Sequence, residues 1–401
     1  MRPSGLLSWR YLSPSALRDP RVRAHRSLWL AGRGRLALGL WLPLELVRWL
    51  VWQLVRGPAL ARRFFSAEPE EDVSPEERRR LLWLVRAWCL PPYEIKRHDL
   101  HRRPGAELDI VYDVETTAFH ALMNGRSRAA CADVRVLRDK VATARRLGAA
   151  KIPVAPVLAC IGRGDGSGPP AYISAGSPVF CKSRHGQGGR LAFAAWRGSA
   201  GLQGRTFEGA VLRTEPEVEQ AWRRLVRSDD ALIQPLLSND PAIAPLADGG
   251  ELITLRYISR RTADGYVGYC AVLEVPVRRE TCGGNAYALI PLASADGTLL
   301  PWPESAADAS QAQSQTARAR SRAPGLLRPP HWDVIRANSH LAHRQVPHLW
   351  AVAWDWAITP SGPLLLEGNS GWSLAVPQLL GLGGLVDQAL EASAASQRLS
   401  Q

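Results

Sequence analysis

Residues 350–372 read WAVAWDWAITPSGPLLLEGNSGW, and the fold is read outward from them. Two apolar runs flank Pro360-Ser361-Gly362, the pattern of a hairpin with a three-residue loop and Gly in the left-handed position. That register sets Thr359 opposite Pro363 and, counting back, Asp355 opposite Glu367. Side chains alternate along a strand with period two, so Asn369 shares a face with Glu367. Three oxygen donors then meet inside an apolar hairpin, where an unpaired carboxylate is heavily penalised. A hard cation resolves the conflict, because magnesium is held by one or two carboxylates together with phosphate oxygens. Asp355, Glu367 and Asn369 are therefore the expected metal ligands; the plainer reading is a hairpin with ordinary polar edge residues.

Phosphate chemistry is also what the lysines suggest. Only four of the fifty basic residues are Lys, at 96, 140, 151 and 182. Lys182 ends the apolar run PVFCK and leads into SRHGQGG, where Gly186, Gly188 and Gly189 permit positive φ and expose backbone N–H groups able to wrap phosphate oxygens. A compact ammonium suits that role. Standing alone, the motif is equally a glycine-bearing hairpin with a solvated lysine.

Around these motifs, SPEERRRLLWLVRAWCL at 74–90 opens on a Ser cap with acidic first-turn residues and closes at Pro91-Pro92, a helix. DVRVLRDKVATARRLG at 133–148 reads as a second helix, followed by KIPVAPVLACIG as a short strand after a loop, and 214–227 as a third. Strands are expected in PVFCK, RLAFAAW, ALIQPLL, LITLRYISR, YVGYCAVLEVPV and the two arms of the late hairpin. Such a succession belongs to an α/β or α+β fold. Residues 304–328 are polar, small and low in complexity, and read as a disordered insertion or flexible loop.

Together these motifs resemble the ATP-grasp superfamily, and their spacing is similar to that of its sugar-transfer-associated branch. The resemblance runs from about residue 74 to 380 and includes RDK at 138–140, the glycine loop, LIQPLLSNDPAIA at 232–244, LITLR at 252–256 and the late hairpin. It implies an α+β fold in which two α/β subdomains grip ATP between antiparallel sheets, over residues 131–385, with helical material at 66–130 and a tail at 386–401. It implies that Lys140 and Lys182 reach the α- and β-phosphates and that the glycine loop covers the triphosphate. Adenine would lie against the hinge at Ile233, Gln234 and Leu236, and Arg256 would face the transferred phosphate or the acceptor. The chain departs from the family pattern at Gln234-Pro235, at Ile253 and in ETCGGNA at 280–286, all on the acceptor or hinge side. Glu274 and Trp372 are further candidates for the acceptor pocket. His98 with His101, and His340 with His343, have helix-face spacing but lack a third ligand.

The resemblance implies a ligase that uses ATP and Mg2+ to join a carboxylate to an amine or hydroxyl, in cell-surface polysaccharide synthesis. Alternatives are a kinase acting on a sugar or other hydroxyl, and a non-catalytic ATP-binding accessory of glycan assembly. The formal charge of +13 is concentrated in residues 1–65, which hold twelve Arg against Asp19 and Glu45, so nucleic acid is not an expected partner of the main body. Within that segment LALGLWLPLELVRWLVWQLV at 36–55 nears membrane-spanning length but contains Pro43, Glu45, Arg48 and Gln53. It reads as an interfacial amphipathic helix making peripheral membrane contact, or as a helix packed on the protein's own core. Six scattered cysteines without a C-x-x-C pair, and no secretory signal, set a cytoplasmic location as the expectation.

Overall fold

The computed structural model describes residues 8, 11–31, 38–66, 74–125, 127–165, 172, 177–186, 188–199, 201–277, 287–302 and 310–398. Two compact units result, one from Met1–Arg128, Pro301–Thr316 and Gly371–Gln401, the other from Ala129–Leu300 and Ala317–Ser370.

The first unit is helical: α1 (Pro20–Ala31), α2 (Leu38–Val51), α3 (Gly57–Ser66), α4 (Pro75–Ala87), α5 (Pro92–Arg97) and α6 (Thr116–Met123) come from the N-terminal part. A single π-helical turn, Trp52–Arg56, joins α2 to α3. The capping box expected at the start of α4 forms, with Glu77 N–H donating to Ser74 Oγ and Ser74 N–H to the Glu77 carboxylate. Its core gathers Trp29, Trp52, Leu81, Leu84, Trp88, Ile95 and Tyr112. Within it His25, fully buried, donates from Nδ1 to the Glu115 carboxylate at 2.9 Å, and burial of the imidazole is outweighed by that carboxylate, so its pKa is raised.

The second unit holds α7 (Arg128–Arg138), α8 (Lys140–Ala149), α9 (Glu215–Ser228) and α11 (Trp332–Arg344) and, among the described residues, eleven strands in two antiparallel sheets. One sheet runs β1-β6-β2-β3-β4-β5: β1 (Ala159–Ile161), β2 (Val179–Ser183), β3 (Phe193–Gly198), β4 (Gly201–Thr206), β5 (Val211–Leu212) and β6 (Ala231–Pro235). The other runs β11-β10-β7-β8-β9: β7 (Thr254–Thr262), β8 (Gly265–Pro276), β9 (Tyr287–Leu292), β10 (Ala351–Thr359) and β11 (Gly362–Asn369). Alternation lays one face of each sheet on a helix, although β10 is buried along its whole length. Val179, Cys181 and Ile233 pack against Val218, Trp222 and Leu225 of α9, while Leu255, Tyr257, Trp354 and Trp356 pack with Trp332 and Ile335 of α11. The opposite faces of both sheets carry the polar side chains considered below.

Four expectations change. The helix at 133–148 is two helices, because Asp139 leaves helical geometry (φ −97°, ψ 103°) and caps α8 by accepting from Val141 and Ala142 N–H. Residues 304–328 are not a loop throughout: Ser310–Ser321 is a helix, α10, whose Ala319 is buried in the sheet core, and Arg322 pairs with Asp248 at 2.6 Å. Leu385–Arg398 is a helix rather than a tail (α13, after the short α12 at Ala375–Leu379), and it belongs to the helical unit with α1 and α6. The strands β4 and β5 carry too many glycines, or too short an apolar run, to be read from pattern alone, and β9 contains Pro291, which argues against a strand.

The late hairpin also turns differently. Thr359 pairs with Gly362, not Pro363, so the turn has two central residues, Pro360 and Ser361, with Gly362 at φ +115°. A bulge at Leu366 then adds one residue to β11, and from there the ladder is Asp355↔Glu367, Trp354↔Gly368 and Ala353↔Asn369. Asp355 does face Glu367, through two offsets that cancel. Gly368 has no alternative, since a Cβ there would lie 2.4 Å from the Trp354 ring.

Candidate active site

Asp355 stands on β10 between Ala353 and Ala357, whose small side chains share its face and leave it room. Its neighbours across the sheet are Arg256 on β7 and Glu367 on β11. Arg256 grips both Asp355 oxygens, Nε at 2.8 Å and Nη2 at 3.0 Å, and its Nη1 lies 2.7 Å from Glu274. Asn369 Nδ2 donates to Asp355 Oδ2 at 2.9 Å and to Glu367 Oε1 at 3.1 Å. Both carboxylates are thus within hydrogen-bond reach of one amide group.

The cations come from the other sheet and from α8. The first residue of α8 is Lys140, whose Nζ donates to Gly186 O at 2.5 Å and lies 3.8 Å from Glu367 Oε2. This lysine therefore touches both the glycine loop and the hairpin. Lys182 leaves β2 on the same face as Leu232 and Gln234, its cross-strand neighbours. Burial pushes its ammonium down to about 8, against the pull of Glu367. Glu367 responds in kind: burial would raise its carboxyl, but Lys182 and Lys140 outweigh burial and hold it below the usual range. Asp355 is raised by burial, which Arg256 offsets only in part, and the buried Glu274 is pushed up to about 7. Three acids thus face three bases, and the cluster balances internally.

Gln234 is buried on the cleft-facing side, yet its amide donates to Ala155 O at 3.3 Å and Pro156 O at 3.2 Å. A cleft opens between Lys140, Thr143, Leu147, Lys182, Leu232 and Glu367, with about 10 Å³ of free space, room for a single water. Ile233 is not among its walls. Period two turns its side chain into the α9 core, and its carbonyl accepts from Leu158 N–H at 2.8 Å, so a hinge contact through Ile233 is not what the structure offers. Leu232 lines the cleft in its place. Leu236 is partly exposed, and its N–H donates to Pro178 O at 2.9 Å.

Gly188 and Gly189 have φ of +65° and +66°, and a Cβ on Gly189 would fall 2.2 Å from the Phe207 ring, so the loop needs glycine there. What fixes the root of the loop was not visible in the sequence. The Asp229 carboxylate accepts from Ser183 Oγ, from His185 N–H at 2.8 Å and from His185 Nδ1 at 2.9 Å. Burial opposes its ionisation, but these donors prevail and bring it down to about 2. Next to it Arg184 forks onto Asp139 at 2.6 and 2.8 Å and reaches Asp230 at 3.1 Å. The consecutive acids Asp229-Asp230, placed just after an amphipathic helix, were the available signal.

Other candidates are structural. Among the described residues no group of three or more His, Cys, Asp or Glu is arranged to hold a metal; the hairpin set is two carboxylates and an amide. His340 bonds the Tyr257 hydroxyl, and His343 bridges Ser259 Oγ and Leu349 O. Burial takes His98 down to about 4, which suits a neutral core imidazole. Trp372 lies in the helical unit, buried, with its carbonyl on His120 Nε2 at 2.9 Å. The departure at Glu280 to Ala286 falls outside the described residues.

No curated protein sequence matches the chain. Solved structures that do include the biotin carboxylase domain of the 2-oxoglutarate carboxylase of Hydrogenobacter thermophilus, in complex with MgADP, ADP and bicarbonate. It is 14% identical with a TM-score of 0.40, over 65% of this chain and 46% of that one. The ATP-grasp ligase PsnB, complexed with a minimal precursor, is 13% identical with a TM-score of 0.37, over 70% of each chain. The D-alanine–D-alanine ligase of Bacillus anthracis is 11% identical with a TM-score of 0.37, over 66% of this chain and 70% of that one. The chain thus spans less than half of the first of these structures. A family model gives the assignment that such distant likenesses cannot: it matches residues 118–393, and the chain belongs to the sugar-transfer associated ATP-grasp family.

Proposed function

We propose that the chain is an ATP- and magnesium-dependent ligase that activates a carboxylate as an acyl phosphate and passes it to an amine or hydroxyl. The observation that carries this reading is the meeting of Lys140, Lys182 and Arg256 with Asp355, Glu367 and Asn369 in one network linked to a glycine loop. Asp355 and Glu367, which share the Asn369 amide, are carboxylates of the kind magnesium takes, and Asn369 would complete the set by turning its Oδ1 to the ion in place of Nδ2. When bound, the ion neutralises phosphate charge.

The remaining work belongs to the chain's own side chains. Lys140 and Lys182 would exchange their present partners, Gly186 O and Glu367, for phosphate oxygens. Because the cleft holds little space, nucleotide entry would part the glycine loop from the hairpin and break the Lys140–Gly186 link. Leu232 and Gln234 replace Ile233 as the wall we assign to the base. Arg256 presents a planar fork that can leave Asp355 for the transferred phosphate or the acceptor carboxylate. A substrate carboxylate oxygen attacks the γ-phosphorus and ADP leaves; the incoming amine or hydroxyl then attacks the acyl carbon and expels phosphate. Such chemistry requires positioning and charge neutralisation and no protein nucleophile. The family's association with sugar transfer supports an acceptor on a cell-surface glycan or its precursor, made on the cytoplasmic side.

The test is incubation with Mg·ATP and a metabolite extract, reading new conjugates by mass spectrometry together with ADP, AMP and free phosphate. ADP and phosphate in step with a conjugate support the ligase. ADP without free phosphate, alongside a phosphorylated product, would make it a kinase. AMP would overturn the reading.

A further inference from the structure

Helix α2 and the π turn after it are packed the wrong way round for water. An ordinary surface helix turns its apolar stripe to the core and its charges outward. Here Glu45 is inside, 2% exposed and paired to Arg48 Nη1 at 2.6 Å, and Trp52 is inside with its indole N–H on Val85 O at 2.8 Å. Outside are Leu44, Val47, Leu50, Val51, Leu54 and Val55, with Val47 57%, Leu54 74% and Val55 60% exposed. At helical spacing these positions sweep about half the circumference of the helix. From α4, Leu82 and Trp83 add to the exposed apolar surface, with Arg80 stacked 4.3 Å from the Trp83 ring. Beside them Trp49, Leu82 and Trp83 form the walls of a groove of about 470 Å³ that also carries Arg79 and Arg86.

We infer that this face is the seat of an anionic lipid bilayer surface, on which α2 lies in the plane of the interface with Leu54 and Val55 in the hydrocarbon and the arginines at the phosphates. Charge selects the occupant. The arginines at the face are Arg79 and Arg86, which line the groove with Trp49 and Trp83, and Arg48, against which the one acid on α2 is buried. Residues 1–65 carry twelve Arg and two acids. A second copy docked here about a two-fold axis would set these arginines against their own kind, since such a contact repeats one patch on both sides. Anionic headgroups meet the same arginines with opposite charge, and tryptophan with arginine around an apolar strip is the composition an interface favours. No helix among the described residues is long and apolar enough to cross a membrane, consistent with a helix lying on one.

The experiment is flotation of the full chain with phosphatidylcholine vesicles, with and without phosphatidylglycerol. The chain is expected to float with the anionic vesicles only. Val47→Glu/Leu54→Glu, at positions already exposed and therefore leaving the circular dichroism unchanged, should lose that binding. Arg79→Gln/Arg86→Gln should weaken it about 30-fold, and added salt should weaken wild type in the same sense. A folded wild type that ignores both vesicles overturns the inference. So does a dimer that ignores them and falls apart in Val47→Glu/Leu54→Glu, which would give the face to a second copy. Equal binding to neutral vesicles would overturn the role of the arginines. None of these outcomes bears on ATP turnover, so the face and the proposed ligase stand or fall separately.

Discussion

Two regions break the habit of putting hydrocarbon inside and charge outside, and they break it in opposite directions. The β10–β11 hairpin with β7 takes charge in; α2 puts hydrocarbon out. In the first, each buried charge has a partner of opposite sign: Asp355 and Glu274 on Arg256, Glu367 near Lys140. In the second, the carboxylate is the group sheltered and the leucines and valines are left at the surface. A balanced internal cluster can trade its partners for those of a ligand without leaving a charge stranded. A bare apolar half-helix finds its balance in a medium other than water. Each violation marks a place where something else is to be bound, and the sign of the violation says what.

The largest effects should separate the two regions cleanly. Lys182→Ala and Glu367→Gln are each expected to lower ATP turnover by roughly 100-fold or more, with the far-UV circular dichroism and vesicle flotation close to wild type. Val47→Glu/Leu54→Glu should do the reverse. Undiminished ADP release by both Lys182→Ala and Glu367→Gln would sink the site assignment. Arg256→Met probes what the hairpin costs to keep: it strands Asp355 and Glu274, and breaking a buried pair in this way is worth about 3 to 5 kcal/mol. Chemical denaturation should show a loss of that size, where the same change at the exposed Arg79 shows almost none.

Asp229→Ala comes next. It releases Ser183 and the His185 N–H together, which loosens the root of the glycine loop without touching the hairpin. Charge-assisted bonds of this kind are worth about 1.5 to 3 kcal/mol each, part of which water replaces. A rise of roughly tenfold in KM for ATP, with kcat less affected, is the expected result. An unchanged KM would mean that the loop needs no anchor.

How far the sequence carried depended on whether a feature obeys period or geometry. The pairing of Asp355 with Glu367 was reached from a three-residue turn and came right because the two-residue turn and the bulge at Leu366, neither of which leaves a mark in hydrophobicity, offset each other. The same alternation, applied to β6, would have put Leu232 on the cleft and Ile233 in the core. The family resemblance passed over it because a hinge is a stretch of chain and not a face. Asp139 is a helix stop only because its side chain caps the next helix, and Asp229 matters only through residues 44 and 46 positions away. The inversion of α2 was beyond reading, because an amphipathic pattern names two faces without saying which one the protein covers.

The smallest effect is a dependence on pH, and it sharpens the contrast furthest. Lys182 has a pKa of about 8 in the free protein because burial outweighs the attraction of Glu367. A bound triphosphate adds negative charge beside it and raises that pKa. Nucleotide therefore prefers the protonated lysine: affinity is full below about 8, falls as pH climbs past it, and levels off above the pKa of the complex. The fall is at most tenfold per pH unit, one proton being taken up. Calorimetric titration of ATP in the presence of Mg2+ at rising pH should show it, and Lys182→Arg should flatten it, since a guanidinium stays charged throughout. An equal slope in Lys182→Arg would assign the proton to another group. The rim of the α2 face carries its charge on arginine alone, so vesicle binding should stay level over the same range. A buried ammonium is thus tuned by its burial, and the guanidinium groups of an exposed face are not.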